Sequence, residues 1–169
     1  SGVFIGEDSV VKIFNIRGKT IKAARGSYEL CWLREKTCLE RLAGKLHFPQ
    51  LLETYEDHLG LRITACGESL FDTWQEHKLY NYIDQAHTIA DALEEAQIQY
   101  FYPGMDPNSK NKQYIKFPLS NFCIEDGELS LIDFELANPV NSSAEKQISK
   151  RLRFLYDNYN AEHFRQSLV

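Results

Sequence analysis

Phe122-Cys123-Ile124 and Leu129-Ser130-Leu131-Ile132 are two apolar, strand-forming runs, and Glu125-Asp126-Gly127-Glu128 stands between them. A chain written this way turns back on itself here. Asp-Gly is a preferred two-residue hairpin loop, because both central residues of the turn need a positive φ that few other residues adopt cheaply. A hairpin centred on Asp126-Gly127 also sets its own register. Asn121 pairs near Ile132, and Asn121 and Asp133 then lie side by side at the open end. An amide oxygen and a carboxylate are hard ligands of the kind that Mg²⁺ takes, with water and phosphate oxygens completing its shell. The same two residues serve equally as plain strand-end caps, and the hairpin alone does not choose between the roles.

The rest of the chain divides by period. Val3-Phe4-Ile5 and Val10-Val11-Lys12-Ile13-Phe14 read as strands separated by the turn cluster Gly6-Glu7-Asp8-Ser9. From Tyr28 to Ala43 the pattern is helical, with Cys31, Cys38, Leu39 and Leu42 on one face. Glu35 falls on that apolar face, four residues from Cys31 and from Leu39, and a carboxylate there wants a cationic partner. His47-Phe48-Pro49 ends the helix, and Gln50 to Tyr55 and Leu61 to Thr64 read as short strands. Cys66-Gly67-Glu68 reads as a connector. A second helix carries Ile83, Ala86, Ile89, Ala90 and Leu93 as its stripe, and Tyr102 to Pro107 is a turn-rich loop. The last stretch, Ser143 to Ser167, is helical, with Ile148, Leu152, Leu155 and Tyr159 aligned.

Charge bears on partners. Nineteen Lys and Arg against 24 Asp and Glu leave a net charge of −5. Nucleic-acid binding is not expected, since phosphate neutralisation needs a basic surplus. No apolar run approaches the roughly 20 residues of a membrane span, and no signal-like segment opens the sequence. The expectation is a soluble, cytoplasmic protein with no membrane partner. Cys31, Cys38, Cys66 and Cys123 form no C-x-x-C pair, and they read as reduced, buried thiols rather than zinc ligands.

Taken in order, these segments resemble the protein-kinase-like superfamily. Val10 to Phe14 is similar to the V-A-I-K strand, and Arg34-Glu35-Lys36 to the helix that carries the ion-pair glutamate. His47-Phe48-Pro49-Gln50-Leu51 resembles the H-P-x-I/L turn that leads into the fourth strand. Leu119-Ser120-Asn121-Phe122-Cys123-Ile124 resembles P-x-N-I-L-L, and Leu131-Ile132-Asp133-Phe134-Glu135-Leu136-Ala137 resembles I-D-F-G-L-A. Glu135 in place of glycine is similar to the small-molecule branch, the aminoglycoside and choline kinases. The resemblance implies an α+β, two-lobed fold. Residues 1–66 would be a small lobe of antiparallel strands with one helix, and residues 67–169 a truncated helical lobe carrying the metal-binding hairpin. It also implies ATP and Mg²⁺ as cofactors. Lys12, Glu35 and Val10 would hold the nucleotide, Asn121 and Asp133 the metal, and Lys12 and Asp106 would do the chemistry on an unidentified small-molecule or protein acceptor.

The departures are specific. Only Gly2 and Gly6 are available for a glycine-rich loop, so phosphate cover is expected to be reduced. The family's catalytic Asp lies five residues before the Asn, where this chain has Lys116. Asp106 reaches that role only if about ten residues, from Asn108 to Phe117, loop out. Three readings stay open: an ATP-dependent phosphotransferase, a pseudokinase that binds without turnover, and an unrelated α+β interaction domain.

Overall fold

The computed structural model describes residues 2–14, 28–73, 76–100 and 121–139. Asp106, Lys110, Lys112, Lys116 and the expected helix from Ser143 to Ser167 lie outside the described residues.

Four strands form the first sheet: β1 (Gly2–Ile5), β2 (Ser9–Ile13), β3 (Leu51–Tyr55) and β4 (Gly60–Thr64), in the order β1-β2-β4-β3, all antiparallel. Alternation along β2 sends Val10, Lys12 and the following Phe14 to one face. Lys12 and Phe14 are buried there, and Val10 packs against the core. Helix α1 (Tyr28–Arg41) buries Cys31, Trp32, Glu35, Cys38 and Leu39. Trp32 joins the expected stripe because its indole N–H donates to Gly60 O on β4 at 3.2 Å. The helix stops at Arg41 rather than at Ala43. Gly44 takes a left-handed φ of 74°, and its N–H donates to Gln50 Oε1 at 2.7 Å, closing the turn.

The second sheet holds the hairpin, β7 (Phe122–Glu125) and β8 (Glu128–Leu131), with Phe122 opposite Leu131 and Glu125 opposite Glu128. Asp126 and Gly127 have φ of 48° and 83°, as the Asp-Gly turn demands. The connector expected at Cys66-Gly67-Glu68 in part becomes a strand. Strand β5 (Glu68–Ser69), which leads directly into a short helix α2 (Leu70–Thr73), pairs with β7. Gly67 makes this approach possible: its φ is 81°, and an added Cβ would fall on the carbonyl oxygen of Ile124.

Helix α3 (Ile83–Glu95) buries Ala86, Ile89, Ala90 and Leu93. Its Gln85 reads the hairpin turn as a strand would, with Nε2 donating to Gly127 O at 2.9 Å and Oε1 accepting from Leu129 N at 2.7 Å. Arg41 of α1 donates to Ala96 O and Gln97 O, placing a cation on the carbonyls that end α3. Two short strands that the sequence did not announce, β6 (Ile98–Gln99) and β9 (Asn138–Pro139), pair with each other. One continuous cluster of buried apolar residues joins Phe14 and Leu61 of the first sheet, Cys38 and Leu39 of α1, Ile89 and Leu93 of α3, and Leu129 and Leu131 of the hairpin.

Candidate functional site

Strand, helix and hairpin meet at one ammonium group. Lys12 Nζ on β2 donates to Glu35 Oε2 on α1 at 2.6 Å and to Asp133 Oδ1 after β8 at 2.8 Å. Lys12 and Glu35 are buried, whereas the Asp133 side chain is 34% exposed. The stripe that made Glu35 conspicuous in the sequence therefore faces the strand that presents Lys12. The resemblance implies a metal-ligand role for Asp133; the structure adds its contact with Lys12. The contact depends on Asp133 having a φ of 66°, a left-handed backbone that turns the chain out of the β8 ladder.

The triad holds one cation and two carboxylates, so it is one negative charge in excess. Burial pulls the Lys12 ammonium down, but Glu35 and Asp133 together more than offset this and hold it above the ordinary lysine range. Burial pushes Glu35 up to about 7, against the downward pull of Lys12, and the charges of Asp133 and Glu135 add to the rise. Relief of that excess by proton uptake therefore falls to Glu35, the fully enclosed member.

Asn121 is buried at the open end of the hairpin, and its backbone carbonyl accepts from Ile132 N at 2.8 Å, continuing the β7–β8 pairing to the residue before Asp133. The side-chain amide Nδ2 donates to the Tyr100 hydroxyl at 2.7 Å, and that hydroxyl donates to Ile132 O at 2.8 Å. Tyr100 is a site residue that sequence reasoning missed. It follows the two-residue strand β6 and carries no motif. Phe134 is fully buried, with the Tyr100 ring packed against it nearly perpendicular at 5.3 Å and the Phe48 ring at 6.2 Å. His47 ties the end of α1 to the hairpin: its carbonyl accepts from Leu131 N at 2.9 Å, and its Nδ1 contacts Leu129 O at 2.7 Å.

Val10 lies on the Lys12 face of β2, half-buried. Asp106 lies outside the described residues. Among the described residues no group of three or more His, Cys, Asp or Glu is placed to hold a metal. The hard-oxygen pair Asn121 and Asp133 suits Mg²⁺, which needs few protein ligands when phosphates and water supply the rest.

Solved structures that share this fold include three that bear on the site. They are structures of WbdD. A co-crystal structure of WbdD with the kinase inhibitor LY294002 matches at a TM-score of 0.53 and 18% identity, over 82% of this chain and 31% of that one. Two others, one describing WbdD as a bifunctional kinase-methyltransferase, match at TM-scores of 0.57 and 0.59 and 17% identity, over 92% of this chain and 34% of WbdD. This chain thus spans about a third of the WbdD chains it matches, and at such identity the likeness to WbdD is one of fold. No family model and no curated protein matches the sequence. Among the described residues no helix is long and apolar enough to cross a membrane.

Proposed function

We propose that this chain is an ATP-dependent phosphotransferase of kinase-like type, passing the γ-phosphoryl group to the hydroxyl of an unidentified acceptor. The observation that carries the reading is the buried ammonium of Lys12, bonded to Glu35 on one side and Asp133 on the other. WbdD is described as having two activities, and this triad favours the kinase one: a buried lysine beside an aspartate suits phosphate groups rather than a methyl donor.

Phosphoryl transfer asks the protein mostly for position and charge. Glu35 holds Lys12 extended into the site, and Lys12 offsets charge on the phosphate oxygens. Val10 packs on the base. Asn121 and Asp133 would hold Mg²⁺, which supplies further positive charge to the phosphates. Asp106 would orient the acceptor hydroxyl and take its proton as the oxygen bonds to phosphorus and ADP departs. Glu135 after Phe134 favours a small-molecule acceptor.

The second reading, a pseudokinase that binds nucleotide or protein without turnover, is favoured by one feature: Lys116, not an acid, stands five residues before Asn121. Two measurements separate the readings. ATP with Mg²⁺ at 100 times its Kd should stabilise the fold by about 2.7 kcal/mol under both. ADP release that disappears in Asp106→Asn, with stabilisation retained, supports turnover through Asp106. Stabilisation without ADP release leaves the pseudokinase, and no stabilisation at all removes both.

A further inference from the structure

Gly67 sits at a left-handed φ of 81°, with its backbone directly against Ile124 and Glu125 of β7. The β5 ladder begins after it, with Glu68 opposite Ile124 and Ser69 opposite Cys123. A left-handed residue does not continue an extended ladder, so Cys66 leaves the line of β5. Its thiol reaches over the hairpin instead, where the Ser130 side chain hydrogen-bonds it. Ser130 is the cross-strand partner of Cys123. Directly opposed residues of an antiparallel pair project to one face, with Cβ atoms about 4.5–5.5 Å apart. Cys66 and Cys123 therefore meet on the face of the hairpin away from the buried Phe122 and Ile124. Burial raises the Cys123 thiol, and the charge of Cys66 adds to the rise, as neighbouring thiols require. The two differ in access. Cys123 is 8% exposed, whereas Cys66 is half-buried on the connector between the two sheets.

We propose that Cys66 and Cys123 are a redox pair: a hydroperoxide oxidises the accessible thiol of Cys66, and the enclosed thiol of Cys123 resolves it as a disulfide that clasps the connector to the hairpin. In the first step the Cys66 sulfur bonds to one peroxide oxygen as the O–O bond breaks, and the thiol proton leaves with the other oxygen as water. Cys66 is then a sulfenic acid. In the second step the Cys123 sulfur bonds to the Cys66 sulfur, the S–O bond breaks, and the departing hydroxide takes the Cys123 proton. Two thiols have given up two electrons, and hydrogen peroxide has become two waters. The division of roles follows from burial, since an oxidant in solution reaches Cys66 and not Cys123. Burial also raises both thiols, so the pair ignores a brief exposure and answers a sustained one. The bond ties the chain between the two sheets to a strand that starts one residue after Asn121.

Peptide mapping of the folded, reduced chain after treatment with hydrogen peroxide tests the pairing. The expected product joins the peptides of Cys66 and Cys123 with the loss of two hydrogens, and dithiothreitol restores both thiols. Cys31 and Cys38, buried in α1, should stay reduced. In Cys123→Ser the same treatment should leave Cys66 as a sulfenic acid that dimedone traps, and in Cys66→Ser the thiol of Cys123 should survive. The oxidised wild type should melt at least about 4 °C above the reduced chain, because the bond closes a long loop of the unfolded chain, and neither variant should show this rise. A sulfenic acid that persists at Cys66 in the wild type, a disulfide to Cys31 or Cys38, or a Cys66 that peroxide leaves untouched overturns the proposal. So does a bond that forms only in urea, since the fold would then not have brought the thiols together. A bond between the two that lowers the melting temperature contradicts the clasp. Mapping of the unaltered chain decides the pairing even where a variant does not fold.

Discussion

Lys12 has two partners of different character. Glu35 is enclosed and Asp133 is partly open, so the first is the fixed anchor of the ammonium and the second its solvent-facing partner. Lys12→Met should abolish stabilisation by MgATP and also weaken the unliganded fold. Breaking a buried pair costs roughly 3–5 kcal/mol, and proton uptake by Glu35 should bring this case below that range. Urea unfolding with and without MgATP checks both effects; a variant that binds MgATP normally makes Lys12 structural only. Glu35 yields a pH prediction. Its value in the fold, about 7, lies above the ordinary 4.5, so the folded chain keeps a proton that the unfolded chain releases. The stability it contributes is complete below about 4.5 and is lost as the pH climbs through about 7. Glu35→Gln cannot ionise. The melting temperature of the wild type should therefore fall relative to that variant between pH 5 and 7.5, on an order set by this shift; parallel curves would mean that Glu35 is ionised throughout.

Among the elements, the hairpin is the most local and the most readable. Asp126-Gly127 dictates the turn, and the turn dictates that Asn121 neighbours Ile132. What docks on the hairpin is less local. Gly67 lets β5 approach β7 so closely that a methyl group would strike backbone, with Glu125 Cβ only 2.6 Å away. Gly127 has a similar φ of 83° but open space around it. The two glycines therefore separate strain from contact. Gly127→Ala should cost about 1–2 kcal/mol from its left-handed backbone alone. Gly67→Ala should cost clearly more, because β5 must also move off β7. Urea titration of the two variants measures the difference, and equal losses would show that the approach of β5 is dispensable.

Across the molecule, the apolar core runs without a break from the first sheet through α1 and α3 to the hairpin. This continuity predicts a single cooperative unfolding rather than separate melting at residues 66–67. Native thiols report on it. Burial pushes Cys38 up to about 12, with the charge of Glu35 adding to this, and burial likewise pushes Cys123 up to about 12. Neither thiol should react with an alkylating reagent at pH 8 until the chain opens. Cys38 lies in α1 and Cys123 in the hairpin, so their labelling should report the same opening free energy across a denaturant series. Distinct values would show that the two halves open independently.

Elements whose causes are local follow from the amino-acid sequence. Alternation made β2, a 3.6-residue stripe made α1 and α3, and Asp-Gly made the hairpin. It also marked Glu35, since a carboxylate on an apolar stripe needs a cation somewhere. Two-residue strands such as β5, β6 and β9 left no trace, because so short a segment has no period to read. Tertiary structure alone decided which groups meet. Lys12 and Asp133 are 121 residues apart, and only packing of β2, α1 and the hairpin around one core brings them to 2.8 Å. Tyr100 shows the same limit. Nothing in its neighbours predicts a bond to Asn121, 21 residues away, because the pairing arises from the close packing of its ring on Phe134 and of its hydroxyl on the end of the hairpin.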